Sequence, residues 1–297
     1  MVDAERTAAF AAAVAPMPPR TGELAPGVVT TLTPLVRRIV APNPCLMTGP
    51  GTNTYLIGDP DGDLVALDPG PDTPEHLDRV AEVGAGRIRA VVVTHTHQDH
   101  SPGAPGLSER TGAPLVGFDA RDDFTPDIPA GDGHTIDLGP ATLTALHTPG
   151  HASNHLCWLL RGEEVLFSGD HVMDGSTVVI APPDGDMADY LAQLERLRAL
   201  GLRAIAPGHG KLITDPDARL DAYLIHRRER EVQVVDTLGR LGSGTVEDIV
   251  AVIYTETPEA LLPVARYSVW AHLRKLGAEG RAVTDGPDEV SSTWTAA

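Results

Sequence analysis

Cysteine and basic residues are scarce in this chain, and each shortage disfavours a class of protein. Two cysteines occur among 297 residues, too few for the disulfide framework of a small secreted domain. Lysine and arginine total 23 against 41 aspartates and glutamates, which gives a formal net charge of −18 at pH 7. Such a surface repels polyanions on average, because binding a phosphate backbone depends on cationic side chains that displace counterions. The acidic excess extends over both the front and the C-terminal portions, and there is no basic tail.

Long apolar runs are also missing. No segment approaches the roughly 20 consecutive apolar residues that a membrane-spanning helix needs. Residues 1–10 mix charges and lack the pattern of a secretory signal. We therefore expect a cytoplasmic protein without a membrane partner. A hydrophobic share of 42% and a charged share of 22% are ordinary for a globular protein of this length.

Histidine, by contrast, is concentrated in one short loop. His95, His97, Asp99 and His100 directly follow the apolar run 90–93. On an extended strand His95 and His97 point the same way, because side chains alternate with a period of two residues, so they could hold one ion together. Asp99 and His100 lie on the following turn and would more naturally reach a second ion. Imidazole and carboxylate suit borderline cations such as zinc, so the loop predicts a two-metal site.

Three later segments repeat the pattern of a β-prone run that ends in a glycine with a histidine or aspartate beside it. These runs, at 141–146, 164–167 and 203–206, lead to His151, Asp170 and His209. Glycine permits close approach of the backbone, and loops at strand ends commonly carry functional residues. The repetition predicts that these three side chains complete the metal site.

Taken together, these motifs resemble the metallo-β-lactamase superfamily over nearly the whole chain. The H-x-H-x-D-H loop, His151, Asp170 and His209 occur in the order of that family's motifs, and Asp68 matches its non-ligating aspartate that braces the metal loop. Residues 51–56, the turn 147–151 and the C-terminal tail are similar to the β-lactamase-like subgroup, whose animal member is a mitochondrial single-stranded-RNA endoribonuclease. The resemblance implies an α/β fold, a four-layer αββα sandwich of two mixed sheets.

The resemblance also implies a ligand set and a chemistry. The metal ligands it implies are His95, His97 and His151 for one zinc, Asp99, His100 and His209 for a second, and Asp170 as the bridge. Mn²⁺ or Fe²⁺ could replace zinc. The two ions would share a hydroxide as nucleophile, because each lowers the pKa of bound water from about 15.7 towards roughly 7. Asp99 and Asp170 would be the catalytic residues, with Asp99 orienting the water and taking its proton.

The implied activity is hydrolysis of an ester, thioester, lactone or phosphodiester. Asp170 disfavours a true antibiotic β-lactamase, since those branches usually carry cysteine or serine at that position. Two arguments about the substrate class oppose each other. The subgroup resemblance favours single-stranded RNA, whereas the acidic composition favours a small-molecule carboxyl ester, thioester or lactone. Single-stranded-RNA endoribonuclease is therefore the leading alternative.

Beyond residue 214 the sequence changes character. It predicts a helix from 215 to about 240, a shorter helix that Thr245 caps and that ends near Tyr254, a helical region 257–276, and a hairpin of 280–284 with 292–295. We therefore predict a hydrolase domain, 1–214, and a linker helix plus winged-helix-like domain, 215–297. This module could border the active site or support a homodimer. A second alternative function is a metal-sensing nucleic-acid-binding regulator whose recognition helix is 267–276.

The remaining predictions concern supporting elements and residues. Helices are expected near 74–83, 102–110 and 187–200, and 119–132 is expected to be a loop without regular structure. His147, His155 and His171 are expected to support the ligands through hydrogen bonds or packing, whereas solvated or capping roles are expected for His76, His134, His226 and His272. Cys45 and Cys157 are expected to be passive, and Asn53 either lines the site or stabilises a turn. The run 227–230 is expected to be a solvated helix face with intrahelical ion pairs.

Overall fold

The computed structural model describes residues 13–175, 177–284 and 286–297. Residues 1–10, on which the expectation of a cytoplasmic protein partly rests, lie outside the described residues. Two sheets face each other and helices cover their outer faces, and a small third sheet with further helices follows. No helix in the described ranges is both long and apolar enough to cross a membrane.

The first sheet has seven strands in sequence order. They are β1 (Val29–Thr33), β2 (Val36–Val40), β3 (Asn53–Ile57), β4 (Leu64–Leu67), β5 (Ile88–Val92), β6 (Leu115–Gly117) and β7 (Ile128–Pro129). Strands β1 to β4 pair antiparallel and β4 to β7 pair parallel. Helix α1 (Pro74–Gly84) connects β4 to β5, and α2 (Gly103–Thr111) connects β5 to β6. The expectation of a loop throughout 119–132 was wrong at β7, where two exposed residues pair with the edge of β6 without an apolar pattern to mark them.

The second sheet has five strands, in the order β12, β11, β10, β9, β8. They are β8 (Thr135–Asp137), β9 (Thr142–His147), β10 (Leu156–Arg161), β11 (Val165–Gly169) and β12 (Ala204–Pro207). Helix α3 (Met187–Arg198) connects β11 to β12, which pair parallel. The strands predicted before His151, Asp170 and His209 are therefore present, with bounds that differ by one or two residues.

Alternation of side chains along the strands builds the layers. In β10, Leu156, Trp158 and Leu160 pack into the core between the sheets, and Cys157 and Leu159 pack against the outer helices. Both faces of this strand are buried, which explains its continuous apolar sequence. The first sheet has the same two-sided burial, with Leu67 and Val92 facing inward. This arrangement confirms the predicted four-layer sandwich.

The C-terminal region forms a third sheet with three helices around it. Its elements are α4 (Pro216–Leu241), β13 (Ser243–Thr245), α5 (Val246–Ile253), a 3₁₀ turn (Glu259–Leu261), α6 (Leu262–Ala278), β14 (Ala282–Thr284) and β15 (Thr293–Ala296). Strand β15 lies between β13 and β14. Thr245 caps α5 as predicted, because its hydroxyl accepts from the Asp248 N–H while the Asp248 carboxylate accepts from the Thr245 N–H. Strand β13 was not predicted, since its glycine-rich sequence indicates only the end of α4.

The predicted helix from 215 to about 240 is present as α4. Leu220, Tyr223, Leu224 and Leu238 are buried, whereas Val232 is 57% exposed. Val234 is buried, because it continues the spacing of three and four residues along the buried face of the helix.

The expected solvated face at 227–230 was wrong for Arg227, which is buried, whereas Arg228 and Glu229 are exposed. The expected intrahelical pairs are replaced by partners on other elements: Arg228 pairs with Glu195 on α3, and the guanidinium of Arg230 lies 4.1 Å from the centroid of the Tyr254 ring at the end of α5. A run of charged residues in the sequence does not show which of its side chains pack against other elements.

Two histidines expected to be solvated or capping are buried, so the prediction was wrong for His76 and His272. The Nε2 atom of His76 lies 2.8 Å from the Thr54 hydroxyl oxygen, and burial lowers the His76 pKa to about 4. His272 is fully buried in α6. Both lie on helix faces that pack against strands or another helix, where tertiary contacts decide burial. His134 and His226 are half-buried.

Substitution of Trp158 tests the packing of the core between the two sheets. We expect Trp158→Ala to lower the free energy of unfolding by about 3–5 kcal/mol, because it removes a fully buried ring and leaves a cavity between the sheets. Urea denaturation followed by circular dichroism measures the change. The exposed Val232→Ala serves as control and should stay within about 0.5 kcal/mol. Equal effects of the two substitutions would contradict this description of the core.

Candidate metal centre

The predicted ligands come together where strands of the two sheets end. The loop 94–101 follows β5, His151 follows β9, Asp170 follows β11 and His209 follows β12. Parallel pairing of β11 with β12 places the ends of these two strands at the same edge. Two groups of donors result, and within each group the donor atoms lie within 4.8 Å of one another.

The first donor set contains His95, His97, His151 and Asp170. The Nδ1 atom of His97 lies 2.9 Å from His95 Nε2 and 3.0 Å from His151 Nε2. The Oδ2 atom of Asp170 lies 3.7 Å from His151 Nε2. Three imidazoles and one carboxylate oxygen therefore surround one point.

The second donor set contains Asp99, His100, His209 and the same Asp170. His209 Nε2 lies 3.2 Å from Asp99 Oδ2 and 3.3 Å from Asp170 Oδ1. His100 Nε2 lies 3.3 Å from Asp170 Oδ1 and 3.6 Å from Asp99 Oδ2. Asp170 thus turns one oxygen toward each donor set, which is the arrangement expected of a bridging ligand.

The donors fit a pair of divalent cations. A tetrahedral ion at about 2.0–2.1 Å from each ligand separates its ligands by about 3.3 Å, and the donor separations in both sets fall on both sides of that value. His100 Nε2 and Asp170 Oδ1 are both buried without a hydrogen-bond partner among the described residues, although they lie only 3.3 Å apart. Buried polar atoms normally have partners. Cations in this space would satisfy both.

Outer contacts fix the orientation of three ligand imidazoles. The Nδ1 atom of His151 lies 2.8 Å from the Val179 carbonyl oxygen, that of His209 lies 3.2 Å from the Gly51 carbonyl oxygen, and that of His100 lies 2.9 Å from Asp68 Oδ2. An imidazole that donates from Nδ1 presents the lone pair of Nε2. In all three residues Nε2 is the atom that faces the donor set.

Asp68 occupies the bracing position that the sequence predicted. Its Oδ1 accepts from the Thr94 N–H at 2.7 Å, and its Oδ2 accepts from the Thr94 hydroxyl at 2.8 Å and from His100 Nδ1. The residue is buried and adopts a left-handed backbone conformation with φ of 50°. Asp68 therefore anchors the start of the histidine loop and one of its ligands together.

Burial and neighbouring imidazoles shift the pKa of His95 in the same direction, whereas burial and neighbouring charges oppose each other at His209 and Asp99. Burial lowers the pKa of His95 well below its usual range, and neighbouring imidazoles lower it further, so this ring is neutral and ready to bind a cation. Burial also disfavours charge on His209, but Asp170 and Asp99 outweigh it and raise its pKa to about 10. For Asp99 burial favours the neutral acid, yet His100 and His209 outweigh it and lower the pKa to about 2.

The three supporting histidines contact the site in different ways. His155 is fully buried, its Nδ1 lies 2.9 Å from the Thr148 hydroxyl oxygen, and its Nε2 accepts from the Asp170 N–H at 3.2 Å. His171 is buried against the Tyr190 ring, at 4.7 Å between centroids. His147 lies farther out, with Nε2 2.9 Å from the Ser153 carbonyl oxygen. Only His155 bonds directly to a ligand residue.

Asn53 has a role that the sequence left open. Its amide donates to the carbonyl oxygens of Pro207 at 2.8 Å and Gly210 at 3.0 Å, on either side of His209. Arg38 also donates to the Gly210 carbonyl, and the Tyr55 hydroxyl donates to that of Pro207. The first sheet therefore holds the loop that carries a ligand from the second sheet.

Two glycines permit the close approach of the ligand loops. At Gly150, with φ of 133°, a Cβ would lie 2.4 Å from the Tyr190 Cα. At Gly208 a Cβ would lie 2.8 Å from Asp170 Oδ1. Sequence signalled these glycines by their position after strands. The sequence contains no signal for the Val179 and Gly51 carbonyl groups, since every residue has a backbone carbonyl.

The two cysteines are buried, and Cys45 contacts Thr48 rather than the donors.

A four-layer sandwich with two His/Asp donor sets at its strand ends is the architecture of a metal-dependent hydrolase. Residues 47–209 match the family model described as Metallo-beta-lactamase superfamily, and residues 245–294 match the Beta-lactamase associated winged helix domain. The chain belongs to the metallo-beta-lactamase superfamily and carries this associated winged helix. It is therefore a hydrolase, as predicted. The division of the chain at residues 214 and 215 stays a prediction.

Relatives and solved structures agree with this family. A Beta-lactamase-like protein 2 homolog from Drosophila melanogaster is 33% identical over 287 residues, covering 88% of this chain and 94% of the relative. An Atrochrysone carboxyl ACP thioesterase from Aspergillus chevalieri is 34% identical over 251 residues, covering 78% and 77%. A beta-lactamase domain protein from Burkholderia ambifaria shares the fold with a TM-score of 0.78 at 20% identity, covering 95% of each chain.

Asp68→Asn tests the brace behind the histidine loop. We expect metal affinity to fall by roughly 10- to 100-fold, because an amide cannot accept all three hydrogen bonds that the carboxylate accepts. Competition with a chromophoric chelator measures the affinity. Asp78→Asn is the matched control, since Asp78 is exposed and pairs only with Arg110. Unchanged affinity in Asp68→Asn would show that this carboxylate does not orient the ligands.

Metal affinity should rise with pH up to about pH 10. Protonated His209 is favoured below its metal-free pKa of about 10, so a cation must displace that proton, and each displaced proton raises the association constant about tenfold per pH unit. Titration calorimetry in two buffers of different ionisation enthalpy, between about pH 7 and 9, measures the release. Binding that releases no proton would contradict the charge arrangement described for the second donor set.

Proposed function

We propose that this protein is a binuclear metal-dependent hydrolase of carboxyl thioesters and related esters or lactones. The observation that carries the proposal is Asp170, whose two oxygens face different donor sets. A single-ion site would need only one of these sets. The two sets share this carboxylate and no other residue.

Zinc is the metal that we propose for both positions. The first set offers three imidazoles and one carboxylate, and the second offers two of each, which are ligands that zinc accepts in tetrahedral sites. Mn²⁺ or Fe²⁺ could also bind, since availability and affinity together decide occupancy. Two such cations would supply Lewis acidity and water of lowered pKa.

Asp99 and Asp170 have different roles in the proposed reaction. The Asp99 side chain is 27% exposed, more than its partners His209 and His100, so it lies at the edge that substrate reaches. Its carboxylate is ionised, because its pKa is about 2, and it is placed to orient an attacking water by accepting a hydrogen bond from it. Asp170 is more buried and holds the two donor sets at a fixed separation.

The surroundings of the site favour a carboxyl substrate over a polyanion. Beside the first donor set, Asp122 accepts from the Thr96 hydroxyl and Asp119 accepts from the Asn154 amide. The nearby cation, Arg121, is already paired with Asp184 at 2.7 Å and lies 3.7 Å from Asp119. This wall is therefore net negative, and it would repel a phosphate backbone.

The other side of the site shows the same pairing. Arg38 and Lys211 both contact Glu23, at 3.5 and 3.3 Å, and Asp174 accepts from the Lys211 N–H. Both cations are therefore paired with a carboxylate, and Arg38 is fully buried. A thioester or ester carries a neutral reacting group, so such a site does not oppose its entry. The relative named as a carboxyl ACP thioesterase supports the same substrate class.

Single-stranded RNA is the second candidate substrate. The relative named as a Beta-lactamase-like protein 2 homolog covers most of this chain and favours a subgroup in which the resemblance implies RNA cleavage. The acidic wall opposes that activity, so we place it second. β-Lactams are not proposed as substrates, because an aspartate stands at position 170.

The regulator alternative has little support from the C-terminal module. The predicted recognition helix lies in α6, where most side chains from 267 to 273 are buried. Its two basic residues are paired, Arg274 with Asp288, and Lys275 with Glu231 and Glu279. This helix therefore presents no free basic face for a DNA groove. A homodimer stays a prediction.

A substrate panel tests the proposal. The purified protein with zinc or manganese is assayed on fluorogenic thioesters, lactones, phosphodiesters and single-stranded RNA. We expect thioester or ester cleavage to exceed RNA cleavage by a wide margin in kcat/KM. Preference for RNA would transfer the assignment to the second candidate, and inactivity on every substrate with metal bound would contradict the hydrolase mechanism.

Asp170→Ala tests the bridge. We expect bound metal to fall from two equivalents per chain to one or none, since the substitution removes the shared anionic ligand, and activity to fall with it. Elemental analysis after gel filtration measures the content. Asp63→Ala, which removes an exposed carboxylate paired with Arg89, should keep both equivalents. Retention of two equivalents by Asp170→Ala would exclude bridging.

A further inference from the structure

One face of helix α4 bonds to the segment that follows Asp170. Arg219, Tyr223 and Arg227 are spaced four residues apart, so they lie on the same side of the helix. All three reach backbone groups of the stretch between β11 and α3. This helix belongs to the C-terminal region rather than to the sandwich, so the contacts join two parts of the chain.

The contacts are directed at backbone atoms. Arg219 donates from Nε and Nη2 to the Met173 carbonyl oxygen, at 2.9 and 2.7 Å. The Tyr223 hydroxyl accepts from the Met173 N–H at 2.9 Å and donates to the same carbonyl at 3.2 Å. Arg227 donates from Nη2 to the Val178 carbonyl oxygen. Met173 and Val178 are thereby both tied to one helix.

Arg227 is the most constrained of the three. It is 2% exposed, and its guanidinium lies 5.3 Å from the centroid of the Tyr190 ring. The Tyr190 hydroxyl in turn donates to the His171 carbonyl oxygen at 2.7 Å. Burying a guanidinium is costly unless its donors are used and its charge is stabilised. Here the Val178 carbonyl accepts from Nη2 and the face of the Tyr190 ring stabilises the charge, whereas Nε has no partner among the described residues.

The two residues that α4 contacts, Met173 and Val178, lie between Asp170 and Val179. Asp170 is itself a member of the first donor set, and the Val179 carbonyl accepts from His151 Nδ1. Val178 packs into the core beneath α3 and α4, while Val179 packs against the core of the C-terminal module. A shift of Val178 would therefore move the carbonyl that orients His151.

We propose that helix α4 clamps the first metal subsite, with Arg227 and Tyr223 as positioning residues that act through Val178 and Met173. The inference rests on the binuclear site of the proposed function and assigns the C-terminal module a task within it. Neither residue touches the donors. They fix the backbone from which His151 takes its orientation.

The second donor set is held from the opposite side of the molecule. Asn53, Arg38 and Tyr55 hold the carbonyls of Pro207 and Gly210 around His209. These residues lie on β2 and β3 of the first sheet. Loosening α4 should consequently affect the subsite of His95, His97 and His151 more than that of Asp99, His100 and His209.

Stepwise metal affinities of the full-length protein test the clamp. Metal-free wild type is titrated with Co²⁺, followed by d–d absorption, and with Zn²⁺ against a chromophoric chelator. His97→Ala and His209→Ala identify which dissociation constant belongs to which donor set. Arg227→Met and Tyr223→Phe are the test variants. Arg228→Met is the matched control, since it removes an exposed guanidinium from the next position on the helix, and Asn53→Ala is the reciprocal variant.

We expect Arg227→Met to weaken metal binding at the first donor set, identified by His97→Ala, roughly tenfold, which is the lower end of the effect of residues that support ligands. The dissociation constant of the second donor set should stay within about twofold. Tyr223→Phe should also weaken binding at the first donor set, and Arg228→Met should shift neither constant. Asn53→Ala should show the reverse selectivity. If Arg227→Met does not fold, Tyr223→Phe decides alone, because it keeps the ring and loses only the hydroxyl.

Two results would overturn the clamp. Equal weakening of both constants in the test variants would indicate general loosening, and unchanged constants would show that α4 does not position the subsite. Either result with two ions bound to wild type leaves the proposed function intact. A wild type that binds fewer than two ions would contradict the binuclear site, and the clamp with it.

Discussion

The structure depends on one buried carboxylate placed between two groups of imidazoles. Asp170 is 9% exposed, and burial alone would favour its neutral form. His209 and His100 outweigh burial and hold the pKa of this carboxyl well below its usual range. A buried charge is tolerated only where partners compensate for lost hydration. The ligand loops, their braces and the glycines between them bring those partners to Asp170 from both sheets.

The sandwich supplies this arrangement through strand ends. Side chains of β10 and its neighbours fill the core, which fixes the sheets relative to each other, so loops leaving them keep their separation. Polar contacts then fix the loops. Asp68, just after β4, holds His100 within the first sheet, and Asn53 reaches across to the loop of His209 after a strand of the second sheet. Through Arg227, the C-terminal helix reaches the backbone beside His151.

Much of this architecture could be predicted from the chain because its signals are local. The histidine loop and the strands before His151, Asp170 and His209 combine β-prone runs with glycine and ligand residues in short windows. Contacts that depend on tertiary packing could not be predicted. Burial of His76 and Arg227, exposure of Val232 and pairing of β13 depend on which element covers them. The orienting carbonyls of Val179 and Gly51 carry no side-chain signal at all.

Anomalous X-ray diffraction at the zinc edge, from crystals of the protein loaded with zinc, tests whether Asp170 bridges two ions. Two strong peaks are expected on opposite sides of the Asp170 carboxylate, one among His95, His97 and His151 and the other among Asp99, His100 and His209. A single peak, or two peaks of which only one lies beside Asp170, would exclude the bridge.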